Sequence, residues 1–577
     1  MKVFILSTIA ALAITVDLLA QQNTDIRLNQ VGFAPKAPKF AAIVGGDDES
    51  FVVKHAKTNQ VVFKGKLGHL RKSPYSGRVT RMADFSKVTQ EGQYRIEVPG
   101  RKQTSYFEIR NDIFKPVAKA ALKGFYFQRA STVLPEIYAG KWARPAAHAD
   151  DRVLIHPSAV SQGRDENYTL RGTGGWYDAG DYNKSIVNSG ITMGTLLSFY
   201  EDFSAYANRF EVDIPENRDA IPDLLNEALW NLRWMFTMQD PSDGGVYHKL
   251  TNPRFDGIIM PKEAKMDRYV VQKSTAAALD FVAVMAQSAR IFKNFEKQLP
   301  GLADSCATAA QNGWKWAKAN PDVLYDQDAM NEKYDPDVVT GAYGDKSVSD
   351  EWIWAAAEMY SLTGDSAYMD GVDFQLDASW SLPGWNQVKT LGYYTLLRTK
   401  QKLDPDFQSK LQNGLVSYAS SLKDGLESQP YHTAMGKTPR DYAWGSSSVA
   451  ANQGIVLLTA YRFTKHDDLL HAALGNMDYL MGRNATGYCF LTGFGTKRVM
   501  HPHHRISMAD GIQDPIPGLL SGGPNPGQQD KCDTYPNRYA DESFTDDDRS
   551  YASNEIAINW NAPMVYLAAA LDAIYGK

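Results

Sequence analysis

The period of the hydrophobic pattern changes once along this chain, at about Asp112, and that change divides it into two folds. From about Asp25 to Arg110, short runs alternate apolar and polar residues: Phe40–Val44, Phe51–His55, Val61–Phe63, Arg78–Asp84, Gln93–Val98 and Ser105–Ile109. Turn residues separate them, among them Gly45-Gly46-Asp47-Asp48, Thr58-Asn59 and Pro99-Gly100. A period of two broken by such turns specifies strands. This many short strands in so few residues predict an immunoglobulin-like β-sandwich over 25–110. No catalytic cluster is visible in it.

From Asp112 onward the spacing is helical. The cleanest segment is Ile221–Met238, where Leu224, Leu225, Ala228, Leu229, Leu232, Met235 and Phe236 share one face. Others are Ile113–Arg129, Ser274–Phe292, Gly301–Ala317, Asp350–Leu362, Phe407–Leu422, Asn452–Phe463 and Asp467–Met481, the last with Gly482 placed as its C-terminal cap. A final helix, Pro563–Tyr575, has proline at its first turn, where the missing amide costs nothing. Nearly a dozen helices without strand–helix alternation exclude a doubly wound sheet or a (β/α) barrel. They predict a closed ring of helical hairpins over 112–577, with loops at one end building a site.

Ahead of the sandwich, Met1-Lys2, an apolar run to Ala20 and then Gln21-Gln22 read as a secretory signal over 1–20, cut after Leu18-Leu19-Ala20. The mature protein is expected to be secreted or periplasmic. No later stretch reads as long and apolar enough to span a membrane, and a monomer is expected. With 61 Lys and Arg against 66 Asp and Glu, and no basic run, the chain offers nucleic acid no phosphate-tracking surface. Three cysteines, Cys306, Cys489 and Cys532, exclude a disulfide framework. Cys489 and Cys532 either bridge two loops or stay free.

Within the helical part, Gly174–Lys184 reads Gly-Gly-Trp-Tyr-Asp-Ala-Gly-Asp-Tyr-Asn-Lys. It sets Asp178 and Asp181 three apart in a segment too glycine-rich for a helix interior. Trp176, Tyr177 and Tyr182 flank the acids, and acids among flat apolar rings suit sugar chemistry. Three further loops stand out: Thr340–Asp345 ahead of Asp350-Glu351-Trp352, Lys497–Arg505 ending His501-Pro-His503-His504-Arg505, and Phe544–Ala562. The histidine cluster can be read as zinc ligands, but a closed site needs more ligands and no cysteine is near in sequence. The favoured reading makes His503 and Arg505 hydrogen-bond donors to sugar hydroxyls. Glu555, beside Ile556 and Ala557, is positioned for a desolvated carboxyl that keeps its proton at neutral pH, if burial outweighs a nearby helix start.

Taken together these loops resemble glycoside hydrolase family 9, the β-1,4-glucanases, in the subgroup with an N-terminal immunoglobulin-like domain. The likeness rests on Asn29-Gln30-Val31-Gly32-Phe33, on Asp178-Ala-Gly-Asp181, on Gly495–Arg505, and on Phe544–Ala562 with Asp546, Tyr551, Glu555, Asn561 and Ala562 at the family spacing. The resemblance implies a mainly α protein: an (α/α)6 barrel catalytic domain preceded by the sandwich. It implies hydrolysis of internal β-1,4-glucosidic bonds in cellulose-type, mixed-linkage or xyloglucan chains by inverting single displacement.

By the same resemblance Asp181 would be the general base, Asp178 its helper and Glu555 the general acid. His503 and Arg505 would contact the sugar beside the cleaved bond, and Asp546 would sit near Glu555 and help fix it. Trp444, Tyr343 and His248 would line subsites. Trp560 stands where a tyrosine is frequent near the acid. No cofactor is needed for the chemistry. A structural calcium would use Asp350 and Glu351, with Asn386 as a third ligand, although an acidic pair at a helix start equally complements the helix dipole. The subgroup's zinc cysteines are missing at Gln128-Arg129-Ala130 and Ala146-Ala147-His148. The alternatives are an exo-acting enzyme on oligosaccharides and a non-catalytic glycan-binding protein.

Overall fold

The computed structural model describes residues 25–378 and 380–576. The expected signal segment, 1–20, lies outside them. Two antiparallel four-stranded sheets form the N-terminal sandwich. One sheet runs in the order β1 (Ile26–Arg27), β2 (Phe40–Val44), β6 (Val79–Asp84), β5 (Arg71–Lys72). The other runs β4 (Val61–Lys66), β3 (Ser50–His55), β7 (Gly92–Glu97), β8 (Thr104–Ile109). Their inward residues, including Phe33, Phe51, Val53, Phe85, Tyr94, Ile96 and Phe107, make one apolar core. The alternation read from the sequence is the alternation of its two faces.

Eleven helices of ten or more residues follow among the described residues. They are α1 (Lys115–Gln128), α2 (Ile186–Ala207), α3 (Asp223–Thr237), α4 (Thr275–Phe292), α5 (Leu302–Ala319), α6 (Ser349–Thr363), α7 (Lys389–Arg398), α8 (Pro405–Lys423), α9 (Ser446–Thr464), α10 (Asp467–Leu480) and α11 (Ile558–Tyr575). Helices α9, α11, α2, α4, α6 and α7 pack in succession, and α8 touches both α7 and α9, which closes a ring. Outside it, α1 packs on α11, α3 on α2, α5 on α4 and α10 on α9. The two layers follow from composition. In the inner ring every residue of α2 from Ile186 to Tyr200 is buried, as is all of α4 except Arg290. The outer α5 and the ring-closing α8 bury single stripes, in α8 Leu411, Leu415, Ala419 and Leu422. A helix apolar all round belongs inside; an amphipathic one covers it.

Three expectations are corrected here. The segment Thr275–Phe295 is long and apolar enough to cross a membrane by composition, but it is almost wholly buried, because it is a wall of the inner ring. Helix α11 begins at Ile558, so Pro563 lies inside the helix and not in its first turn. A small five-stranded sheet also lies within the helical part, in the order β10 (Thr169–Leu170), β9 (Val153–Ile155), β13 (Tyr269–Val270), β12 (Lys249–Thr251), β11 (Lys184–Ser185). Its strands are too short to give a periodic signal. The three cysteines are free thiols, with Cys489 buried against Met481.

The sandwich is bonded to the barrel by side chains whose partners lie hundreds of residues away. Asn29 Nδ2 donates to Asp478 at 2.8 Å, and Ser73 Oγ to Asp541 at 2.6 Å. Gln30 donates to the Gly487 carbonyl at 2.8 Å and accepts from the Thr496 and Lys497 amides, both at 2.8 Å.

Candidate active site

The loop 174–184 is fixed from behind by the rings that flank its acids. Trp176, Tyr177 and Tyr182 are all buried, and Trp176 Nε1 donates to Glu227 at 2.8 Å. Their expected service as sugar-stacking surfaces is therefore corrected: they are the packing that holds the turn. At Gly175, φ is 77°, and a Cβ there would stand 2.7 Å from the Trp234 ring. Only glycine fits that conformation and that approach. Gln128 Nε2 donates to the Ala179 carbonyl at 2.8 Å, and the Ile558 amide donates to the Asp178 carbonyl at 2.8 Å.

The two acids leave this turn differently. Asp178 is 1% exposed; its Oδ1 accepts the Ser185 amide at 2.8 Å and its Oδ2 has no partner. Burial raises its pKa well above the usual carboxylate value, and Asp181 adds to the rise. Asp181 is half-buried, and its Oδ1 accepts the Asn183 amide at 2.9 Å.

Glu555 arrives on the third loop and meets both others through backbone. His503 pairs with Glu555 in a parallel bridge, and Ala179 pairs with Ala557 in an antiparallel one. The Arg505 amide donates to the Gly180 carbonyl at 2.9 Å. A Cβ on Gly180 would lie 2.2 Å from the His503 carbonyl oxygen, so this junction closes only on glycine. The Gly180 amide donates to the Glu555 carboxylate. Burial first, and the facing Asp181 second, raise the Glu555 pKa to about 8, against the pull of Arg505 and that amide. Burial thus wins over the neighbouring helix start.

The remaining residues read from the sequence divide into two groups. His503 Nδ1 lies 2.6 Å from the Asp548 carbonyl, and burial lowers its pKa, which leaves a neutral ring with Nε2 available. Arg505 opens a short helix, Arg505–Ala509, and its Nε donates to the Asp256 carbonyl at 3.0 Å. Trp444 is 44% exposed and stands 5.5 Å from the Tyr551 ring, the two forming an open aromatic face next to His503. Tyr343 sits at φ 52° within the field of Asp178, Glu555 and Asp181, edge-on to Trp385.

Other expected contacts do not reach a ligand. His248 is wholly buried, stacked on Tyr325, with Nδ1 at 2.9 Å from Ser274 and Nε2 at 3.2 Å from the Ala342 carbonyl. Both nitrogens are used, so it is a core residue and not a sugar contact. Asp546 accepts the Met500 and His501 amides at 2.9 and 2.8 Å and the Asn554 side chain at 3.3 Å. It joins the histidine loop to the residue before Glu555, a placement that matches the fixing role read for it from the resemblance. Trp560 packs its indole against Gly445 and Gly522. The zinc reading of the histidines also fails: His501 is exposed, while His504 is buried between Gln128 and Ser507.

Around the expected calcium ligands, buried carboxylate oxygens lack partners on Glu351 (both), Asp280 (both) and Asp345 (one). Asp350 Oδ2 accepts the Val388 amide at 2.7 Å, and Asn386 is exposed two residues before that amide. Such hard oxygens fit calcium chemically. Among the described residues, no three His, Cys, Asp or Glu side chains already converge as a metal site. Where the zinc cysteines are missing, Arg129 ion-pairs with Glu216 and Glu227, each at 2.9 Å.

One residue near the acids gave no sequence signal. Lys249 lies beside the singled-out His248 and donates to Gln327, Thr340 and the Gly341 carbonyl. Burial lowers its pKa to about 7, while Asp181 and Asp178 hold it up.

Comparison with known proteins bears on this arrangement. Residues 114–568 match the model of glycosyl hydrolase family 9, and residues 21–103 that of the cellulase N-terminal ig-like domain. The chain is 46% identical over 568 residues to a xyloglucan-specific endo-beta-1,4-glucanase of Bacteroides ovatus, covering 98% of this chain and 96% of that one. It is 33% identical over 562 residues to endoglucanase D of Acetivibrio thermocellus, covering 95% and 83%. A solved Bacteroides ovatus family 9 structure superposes with a TM-score of 0.91 at 45% identity, covering 96% of this chain and 99% of that one. The chain belongs to glycosyl hydrolase family 9, in the form that carries an immunoglobulin-like domain ahead of the helical barrel.

Proposed function

We propose that this family 9 hydrolase cuts internal β-1,4-glucosidic bonds of a β-glucan, with xyloglucan its preferred polymer, by single displacement with inversion. The observation that carries the reading is the facing pair Asp181 and Glu555, in which burial and the Asp181 charge hold the Glu555 proton up to about pH 8. At neutral pH Glu555 then keeps the proton that an inverting glycosidase needs on its acid, with Asp181 the second carboxylate of the pair.

In this reading Glu555 protonates the glycosidic oxygen as the bond to the anomeric carbon breaks. Asp181 takes a proton from water as the water oxygen bonds that carbon from the opposite face. Asp178, with one buried oxygen unpartnered, accepts a hydrogen bond from the O–H that the water keeps, which becomes the new anomeric hydroxyl. The neutral His503 and the Arg505 guanidinium hold sugar hydroxyls beside the cleaved bond, and Trp444 with Tyr551 stacks a sugar along the cleft. The xyloglucan preference draws on the Bacteroides ovatus relative, and the exposed Trp444–Tyr551 face supports binding of a chain. Asp350 and Glu351, with the orphaned oxygens of Asp345 and Asp280 nearby, would hold a calcium that stiffens the start of α6, with no part in the reaction. Residues 1–20 would direct export, so that the polymer is met outside the cytoplasm.

The test is product analysis on xyloglucan, carboxymethyl cellulose, mixed-linkage glucan and cello-oligosaccharides, with the anomer followed by NMR. Random shortening with initial α-anomer supports the proposal. A single small product from chain ends, or initial β-anomer, overturns the endo or the inverting part respectively.

A further inference from the structure

Phe255 lies in the loop between β12 and β13 and is 43% exposed, with Ile258 beside it at 47%. Scattered exposed apolar residues need no explanation, but this one is built into the catalytic rim. The Arg505 guanidinium covers one face of its ring at 5.4 Å. Its neighbour Asp256 gives its carbonyl to Arg505 Nε and its carboxylate to Asn252. Asn183, whose amide bonds Asp181, accepts from the Asn252 amide and from Thr251 Oγ1, both at 2.9 Å. The Val339 amide donates to the Pro253 carbonyl at 2.8 Å, tying the same loop to the segment that carries Tyr343. A continuous set of hydrogen bonds therefore runs from the Asp181 carboxylate to the residues on both sides of Phe255.

We propose that Phe255 is a specificity-determining residue that stacks a main-chain glucosyl ring on the Arg505 side of the catalytic carboxylates; this rests on the β-glucanase reading above. With Arg505 over one face the residue is still 43% exposed, and the loop beneath it is already ordered, so binding there forfeits little conformational entropy. A glucosyl unit in β-linkage presents C–H faces that match a flat apolar ring while its edge hydroxyls stay in water. Trp444 and Tyr551 offer an aromatic face next to His503, and Phe255 offers one next to Arg505. His503 and Arg505 both reach the loops that carry the acids, His503 through its bridge to Glu555 and Arg505 through its bond to Gly180, so the two aromatic surfaces belong to one cleft.

The experiment uses the full chain and its variants Phe255→Ala, Phe255→Leu and Phe255→Trp. Steady-state kinetics on xyloglucan and carboxymethyl cellulose are combined with cleavage-site mapping on end-labelled cello-oligosaccharides. Loss of a stacking ring raises KM about tenfold, lowers kcat less, and shifts the bond cut in the oligosaccharides. Leu, which keeps apolar bulk without a ring face, should behave as Ala, and Trp should restore both readings. If Ala and Leu keep the wild-type KM and cleavage site while the wild type is active, this inference alone is overturned. It is equally overturned if Ala lowers kcat only and Leu restores it, since Phe255 then merely packs on Arg505. A wild type with no turnover on any of these glucans overturns the function reading and this one with it.

Discussion

Asp178 and Asp181 are three residues apart on one turn, yet Asp178 is sealed with one oxygen unpartnered, whereas Asp181 is half-buried and held by the Asn183 amide. The two should therefore differ on mutation. Asp181→Asn removes the base and is expected to lower kcat by about 10³-fold or more. Asp178→Asn keeps the acceptor for the Ser185 amide and should cost about ten to a hundredfold. Assays on xyloglucan with both purified variants decide this; equal losses would contradict the division of roles.

The pH dependence follows from Glu555. Activity should fall as pH rises through about 8, where the acid loses its proton. The stability effect has the same window. An unfolded glutamate gives up its proton near pH 4.5, while the folded one keeps it to about 8, so the unfolded state binds fewer protons between these values and stability falls with rising pH there. Glu555→Gln lacks that term. The variant should be nearly inactive on xyloglucan, and its thermal midpoint should exceed that of the wild type more at pH 9 than at pH 4.5. Parallel melting curves at the two pH values measure the difference.

How far the sequence reaches is clearest at particular residues. Asp178, Asp181, His503, Arg505 and Glu555 lie in contiguous motifs, and the structure brings three separate loops together through bridges at Ala179–Ala557 and His503–Glu555. His248 was legible as a polar residue in an interesting place, but no spacing shows that both its nitrogens are satisfied inside the core. The rings of Trp176, Tyr177 and Tyr182 read as a sugar surface because burial leaves no mark on a short loop. Lys249 and Phe255 left no trace, since their importance comes from long-range neighbours: Asp181 for one, Arg505 for the other. Helix α7 escaped notice because Lys389–Arg398 mixes aromatic, polar and glycine residues without a stripe, being buried within the inner ring over most of its surface.

Trp444 gives a direct test of the cleft. It is exposed and, among the described aromatic rings, packs on Tyr551 alone, so Trp444→Ala should leave the fold intact. KM on xyloglucan should rise about tenfold, with thermal stability changed by less than about 0.5 kcal/mol, as for other surface substitutions.

The orphaned oxygens of Glu351, Asp280 and Asp345 make a calcium dependence measurable without any assay of turnover. Excess calcium should raise the thermal midpoint and a chelator should lower it. Saturation at a hundred times the dissociation constant corresponds to about 2.7 kcal/mol. Glu351→Gln should abolish the calcium-dependent part of the shift. Indifference of the wild-type midpoint to calcium and chelator would remove the metal from the account.

Gln30 carries the last prediction, which concerns why a sandwich without catalytic residues is joined to this barrel. Its side chain spans from the Gly487 carbonyl to the Thr496 and Lys497 amides, and its own amide donates to the Met481 carbonyl. The segment it grips continues to His501, where Asp546 takes over, and then to His503 beside Glu555. The sandwich thus fixes one end of the loop that the acid is paired with. Gln30→Ala keeps the backbone bond to Met481 and frees the loop at its start, removing the acceptor of the exposed Thr496 amide and the part-buried Lys497 amide and the donor to the part-buried Gly487 carbonyl. The loss of such bonds costs on the order of 1–3 kcal/mol, visible as a lower midpoint in urea unfolding. Because the freed segment leads to His503, kcat on xyloglucan should drop as well, although Gln30 lies far from the acids in sequence. A destabilised variant with unchanged kcat at a temperature where it is folded would show that the sandwich only holds the barrel together.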